Sequence, residues 1–279
     1  MTTEKSSADG VQWDLSDLYS GLDDPKINED LQSALQRAEA FAEKYRGKIH
    51  VEGGPPVELL KEALVELESL CEQRDKPVIF AHLAHAAQTD DEARGNLLNR
   101  CEQSYVQIKQ LLIFFDLEWA QVDDEPAQKL IDAPELSHFR HYLEQERAWR
   151  PHHLSEPEEK ILSEKSLTGR NAFVRLFDES VSALTCTVEH DGKSETLSLQ
   201  KTLSGLYEPD RSKREASDKA LTASLRGQSR LLAYIFNVVI QDHESSCRLR
   251  KFDNPMGMRH LANEITAESV DALMAASER

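Results

Sequence analysis

Between residues 97 and 119 the apolar side chains fall at Leu97, Cys101, Tyr105, Ile108, Leu112, Phe115 and Trp119, in steps of 4, 4, 3, 4, 3 and 4. Steps alternating between three and four follow one face of an α-helix and no face of a strand. A stripe six turns long cannot stay in water, so partners must cover it along its length. This pattern commits the chain to a layered helical architecture.

The neighbouring sequence supplies those partners. A helix is predicted over Lys26–Tyr45, with Leu31, Leu35, Ala38, Phe41 and Tyr45 on one face, ended by Gly47 and the Gly53-Gly54-Pro55-Pro56 loop. A second is predicted from Pro56 to Arg74, with Val57, Leu60, Leu64, Leu67 and Cys71 aligned. Pro77 opens a third carrying Phe80, Leu83 and Ala84, because proline favours a first turn and breaks an interior. Helices over Pro126–Ile131 and Pro134–Trp149 complete an antiparallel bundle. One strand pair is predicted, Leu184–His190 and Lys193–Leu199, because Asp191-Gly192 suits a tight type I′ turn between β-prone runs. Beyond it Leu221, Leu225, Leu232, Ile235 and Val239 line one long helix. The fold class is mainly α: a helical bundle over 13–150, a helical junction with a β-hairpin (about 184–199) over 151–206, and further helices over 207–279. Residues 1–12 read as a disordered leader.

Composition narrows the partners. The 279 residues carry 33 Lys and Arg against 50 Asp and Glu, a net charge of −17, which repels phosphate backbones and argues against nucleic acid. No apolar run approaches the roughly 20 residues of a bilayer span. The polar start Met1–Gly10 has no apolar core of a secretory signal. Cys71, Cys101, Cys186 and Cys247 are far apart and form no Cys-x-x-Cys pair, which suits reduced thiols in a cytoplasmic protein.

The segment from Arg147 carries the most specific information. It reads Arg-Ala-Trp-Arg-Pro-His-His-Leu-Ser-Glu-Pro-Glu-Glu-Lys-Ile-Leu, with Ser155 as a helix N-cap, Pro157 just inside, and Glu156, Glu158 and Glu159 loading the positive end of the helix dipole. Thr168-Gly169 then breaks the helix before a second run with Phe173, Leu176 and Phe177 on one face. This stretch resembles the oligoendopeptidase F family of thimet-type zinc metallopeptidases. Trp13–Tyr19, Phe41–Ile49, Asp210–Arg214 and Arg248–Pro255 resemble further phrases of that family in the same order. The resemblance covers the chain from about Trp13 onward. It implies a cytoplasmic zinc endopeptidase that cuts short peptides in a cleft, with its N-terminal region forming one wall.

That chemistry needs His-Glu-x-x-His: two imidazoles one turn apart hold zinc, and the glutamate deprotonates its water. The sequence contains no such motif. Family members are about twice as long, with the motif downstream, so the resemblance implies that 207–279 begins a catalytic region cut short here and that zinc belongs to the complete protein. No catalytic or metal residue of the family maps onto this chain, and its substrate-binding residues are unknown. The nearest approach is His243-Glu-Ser-Ser-Cys247, where Cys247 stands in place of the second histidine and Glu244 in place of the base; a helix with an incidental His-Glu is the plainer reading. His82 with His85 reads as a helix-surface or bundle-interior pair, His152-His153 as a structural junction, and Arg211, Lys213 and Arg214 as a solvated first turn paired with Asp210 and Glu215. The expected partners are short peptides and a missing C-terminal catalytic half, and the chain alone is expected to be inactive. The alternative is a stand-alone helical module that binds a peptide or another polypeptide without catalysis.

Overall fold

A computed structural model describes residue 11 and residues 13–278 of the chain; the predicted leader at 1–12 lies outside them except for Val11. The elements are α1 (Pro25–Tyr45), α2 (Val57–Ala87), α3 (Glu92–Gln121), α4 (Asp124–Ile131), a 3-10 helix (Pro134–Phe139), α5 (Arg140–Ala148), a short 3-10 turn (Arg150–His152), α6 (Glu156–Thr168), α7 (Arg170–Ser182), β1 (Thr185–His190), β2 (Lys193–Ser198), α8 (Leu199–Gly205), α9 (Arg211–Gly227), α10 (Ser229–Leu249), α11 (Gly257–Ala262) and α12 (Ala267–Ser277). The mainly α expectation holds. The chain divides into two compact units: one of residues 1–44 and 62–112, the other of 45–61 and 113–279.

The first unit is built on α1, α2 and the part of α3 up to Leu112. Tyr19, Ile27, Leu31, Phe80, Ala81, Leu97, Leu98 and Cys101 form its buried cluster, with Leu15, Leu18, Leu22 and Val78 against it. Tyr19 meets Phe80 edge to face at 5.2 Å and donates its hydroxyl to Asp30 at 2.8 Å. Arg74 lies over the Tyr105 ring at 4.6 Å, so guanidinium and ring cover each other. The helix break expected before Pro77 does not occur: α2 runs through it. An interior proline costs about 3 kcal/mol, but Leu70 on one side and Phe80 on the other are both buried. Each contributes about 1.5–3 kcal/mol by burial, enough to hold the helix through the missing N–H.

The second unit takes the rest of α3. Phe114, Phe115 and Trp119 are buried there with Tyr45, Ile49, Leu136 and Leu143. The Trp119 indole N–H donates to the Leu143 carbonyl at 2.9 Å, which satisfies the one polar atom of an otherwise apolar group. Glu118, on the far side of the helix, receives the backbone N–H groups of Gly47, Ile49 and His50 at 2.8, 3.2 and 3.4 Å. One carboxylate thereby fixes the turn after α1. Gly54 has φ +81, and a Cβ there would meet Pro126 Cβ at 3.1 Å, so both conformation and space demand glycine. The expected single helix over 134–149 is instead a 3-10 helix followed by α5, with Phe139 at φ −97, ψ 2 marking the change. That geometry buries Leu136, Phe139 and Leu143 together.

The hairpin follows its turn chemistry. Thr185 pairs with Ser198 and His190 with Lys193, and Asp191 and Gly192 sit at φ 50 and 72 as a type I′ turn requires. Ser224 on α9 donates to the Thr185 carbonyl at 2.8 Å, tying α9 to β1. The long helix expected through 221–239 is two helices. Gly227, the poorest helix former after proline, is followed by Gln228 at φ −103, ψ 5, and α10 starts afresh. Phe173 of α7 meets Tyr234 of α10 at 6.0 Å. Phe236 and Ile240, one turn apart on α10, stay 64% and 51% exposed, as do Leu273 and Met274 on α12 at 66% and 55%.

Candidate functional site

Within the second unit, residues from three of the family-like phrases, around Arg46, Arg147–Lys160 and Arg248–Pro255, converge. Ser155 caps α6 in a capping box: its side chain accepts the Glu158 backbone N–H while its own amide donates to the Glu158 carboxylate at 2.9 Å, and its hydroxyl also donates to that carboxylate at 2.6 Å. The acids around that box are then spent on partners distant in sequence. Glu159 takes Arg250 in a two-pronged pair at 2.6 and 2.7 Å and also accepts the Leu154 N–H at 3.1 Å. Burial pushes the Glu159 carboxyl up, yet the Arg250 hydrogen bonds, the Leu154 amide and nearby positive charge bring it net below its usual range. Glu156 takes both Arg46 at 2.8 Å and Lys160 at 2.7 Å, and the Arg46 hydrogen bond lowers it further.

The aromatic residues lock the same junction. His152 stacks on Phe252 at 3.6 Å between ring centres, and Trp149 meets Phe252 edge to face at 5.9 Å. The His152 Nδ1–H donates to the Arg250 carbonyl at 2.8 Å, and Arg250 returns a bond to the His152 carbonyl at 3.2 Å. His153 is held below its ordinary value chiefly by burial. Arg147 donates to the Val122 carbonyl at 2.8 Å and to Asp124, across the turn from α3 into α4. The His152-His153 pair thus lies in a packed joint, as its sequence setting suggested.

His243, Glu244 and Cys247 lie on α10 close to this joint. The His243 Nε2–H donates to the Pro255 carbonyl at 2.7 Å, and the Cys247 sulfur is 3.6 Å from that same nitrogen. Burial first, then the Glu244 charge, pushes the Cys247 thiol up, away from the thiolate a metal requires. The imidazole nitrogen is committed to a carbonyl, and His243 and Cys247 are not joined by a third His, Cys, Asp or Glu among the described residues. These contacts instead close the turn after α10. Among the described residues, no group of three or more His, Cys, Asp or Glu is placed to hold a metal.

The remaining candidates separate. His82 faces Glu102 at 3.5 Å on the first unit's surface, while His85 is buried. Arg214 donates to the carbonyls of Glu208 and Pro209 at 2.7 and 2.8 Å, and Lys213 lies 3.7 Å from Glu208. Glu215, expected to pair with this basic group, takes Lys219 at 2.6 Å instead, because helical spacing brings i+4 within reach. Asp210 caps α9 through the Ser212 amide at 2.8 Å. A group the sequence reading missed is Glu146 on α5. Its carboxyl is pushed up to about 7 by burial and then by the charge of Asp116, which itself accepts the Tyr142 hydroxyl at 2.6 Å. Asp116 inside the apolar run Ile113–Leu117 was the available signal.

Comparisons with known proteins agree with this scaffold. The family model described as Oligopeptidase F matches residues 118–185, the stretch from the end of α3 to the start of β1. Oligopeptidase PepF of Bacillus subtilis is 21% identical over 266 residues, covering 94% of this chain and 38% of that protein. The plasmid-borne oligoendopeptidase F of Lactococcus lactis subsp. cremoris is 22% identical over 276 residues, covering 95% and 44%. The crystal structure of oligoendopeptidase-F from Enterococcus faecium has a TM-score of 0.75 at 21% identity, over 89% of this chain and 49% of that one. A putative peptidase from Chlamydophila abortus gives 0.56 at 19% identity, over 96% and 45%. The structural likenesses establish the fold, and the chain spans less than half the length of each of these proteins. The matched segment, the curated relatives and the shared fold thus all make this chain similar to oligoendopeptidase F proteins.

Proposed function

We propose that these 279 residues form the N-terminal, non-catalytic part of a cytoplasmic zinc endopeptidase of the oligoendopeptidase F type. On this reading residues 13–150 are its helical bundle, 151–206 a junction with the hairpin, and 207–279 the opening of the catalytic region. Zinc, its activated water and the scissile bond of a short peptide would be handled by residues outside this stretch. The observation that carries the reading is what the family-like phrases do here. Arg46, Arg147, His152, Glu156, Glu159 and Arg250 are engaged in packed joints, and His-Glu-x-x-His is absent from the sequence. The phrases therefore account for a scaffold and leave no metal-activated nucleophile to this chain. The exposed apolar side chains of α10 and α12 would then meet the zinc-bearing part.

The test is turnover of an internally quenched peptide of about ten residues by the purified chain with added zinc. Only background hydrolysis is expected. Chelator-sensitive cleavage that disappears in His243→Ala would overturn the reading and return α10 to the role of a metal helix. A second reading, a helical module that binds polypeptide without any catalytic partner, is favoured by the same exposed Phe236 and Ile240. Cleavage restored by adding a His-Glu-x-x-His-bearing half of a family relative supports the first reading. Binding of a polypeptide to the chain alone that is lost in Phe236→Ser, with no cleavage restored by the added half, favours the second.

A further inference from the structure

The first unit contains a cavity that the peptidase reading leaves unused. Its volume is about 580 Å³, within the roughly 300–1,000 Å³ of small-molecule sites. The segment before α1 contributes Trp13, Tyr19 and Leu22 to its walls, the last turns of α2 contribute Phe80 and Ala84, and the first turn of α3 contributes Arg94. The aromatic wall is held in place: Tyr19 is pinned between the Phe80 ring at 5.2 Å and Asp30 at 2.8 Å. At the mouth, Val11 and Trp13 remain 72% and 64% exposed, an apolar surface that a ligand's body can cover.

Arg94 supplies the polar end. Its Nη1 donates to the Ala84 carbonyl at 2.7 Å, and its backbone N–H donates to Asp91 at 3.1 Å. These bonds fix the guanidinium on the cavity wall. The Asp91 carboxylate pairs with the guanidinium only at 3.7 Å from Nε, which has no hydrogen-bond partner among the described residues. A half-buried guanidinium with an unused edge suits a carboxylate, whose two oxygens match the planar donor fork. The acid on the same lining, Asp14, is engaged by the Ser16 amide at 3.0 Å. Serine and glutamine side chains (Ser16, Ser20 and Gln88) complete the polar part of the wall.

We infer that this cavity binds a small carboxylate with an apolar body, its carboxylate on Arg94 and its aromatic or branched body against Tyr19, Phe80 and Ala84. The inference goes beyond the peptidase reading and does not depend on it, since no step of peptide cleavage is involved. Either a free acid or the C-terminal end of a peptide has this chemistry, so the probes differ in that respect alone.

The experiment titrates the full chain with N-acetyl-phenylalanine, its amide, and 3-phenylpropionate, followed by ligand-observed NMR and calorimetry. The acid should bind about tenfold more tightly than the amide, the increment of one charge-assisted contact. Arg94→Gln should erase that preference. Because Arg94 also holds the end of α2, a second variant, Ala87→Trp, fills the cavity from an exposed helical position and leaves Arg94 intact; it should abolish binding of all three probes. Equal binding of acid and amide, or binding that survives Ala87→Trp, overturns the inference, and so does absence of binding at millimolar probe. If phenylpropionate matches N-acetyl-phenylalanine, the site reads a free acid; tighter binding of the acylated form points to a peptide end.

Discussion

Replacing Arg250 by methionine should unsettle the joint that holds α6 to the end of α10. The side chains of Arg250 and Glu159 are only 20% and 14% exposed, so the change strands a carboxylate in a place with little water. Breaking one side of a fully buried ion pair costs about 3–5 kcal/mol, and the residual exposure here lowers that to about 2–3 kcal/mol. The bond from Arg250 to the His152 carbonyl is lost as well, worth about 1 kcal/mol. The pH dependence gives the argument a second handle. The folded-state pKa of Glu159 lies below its unfolded value. Its ionised form therefore adds stability above the ordinary carboxylate range near about 4.3, and that contribution vanishes as pH falls through the lowered folded value. Urea denaturation followed by circular dichroism should show Arg250→Met destabilised by about 3 kcal/mol at pH 7, shrinking to about 1 kcal/mol in acid once Glu159 is protonated. Adding Glu159→Gln to Arg250→Met should recover part of the loss at pH 7. A cost below about 1 kcal/mol at neutral pH, or strict additivity in the double variant, would refute the coupling.

Three further outcomes follow from the geometry. Glu146→Gln should raise the melting temperature above wild type at pH 8, with the gap closing toward pH 4.5. The folded-state pKa is raised to about 7, so wild type loses stability as pH rises through that range and the amide does not. Trp119→Phe should cost about 1–3 kcal/mol in chemical denaturation, because the buried Leu143 carbonyl loses its donor. Gly54→Ala should cost about 1–3 kcal/mol by the same measurement, from its positive φ and the Pro126 contact; an unchanged midpoint would show that the 53–56 turn yields freely.

Features that depend on neighbours in sequence were legible from it. The stripe from Leu97 to Trp119, the Ser155 cap and the Asp191-Gly192 turn are each encoded within a few residues, and each has the expected structure. Pro77 was misread because local propensity predicts a break, while the packing of Leu70 and Phe80 decides otherwise. The division of 221–239 was missed because its apolar spacing continues in phase across Gly227. The joint itself was invisible: Arg250 meets Glu159 across 91 residues and His152 across 98. No local pattern specifies which carboxylate a distant arginine will find. The phrases that resembled the family could be placed in order but not in space. The cavity at Arg94 was missed for the same reason, since its walls come from three separate segments.

The Glu118 carboxylate that gathers the amides of Gly47, Ile49 and His50 also bears on the order of folding. Its partners lie 68–71 residues away along the chain, so this anchor closes a long loop and yields nothing until α3 has been laid beside the turn. Contacts of such separation slow the search for the native state and tend to form after helices built from local contacts. The bend after α1 is therefore shaped by a residue the growing chain does not yet contain when the bend is made, and a nascent chain shorter than 118 residues must carry that segment without its native restraint.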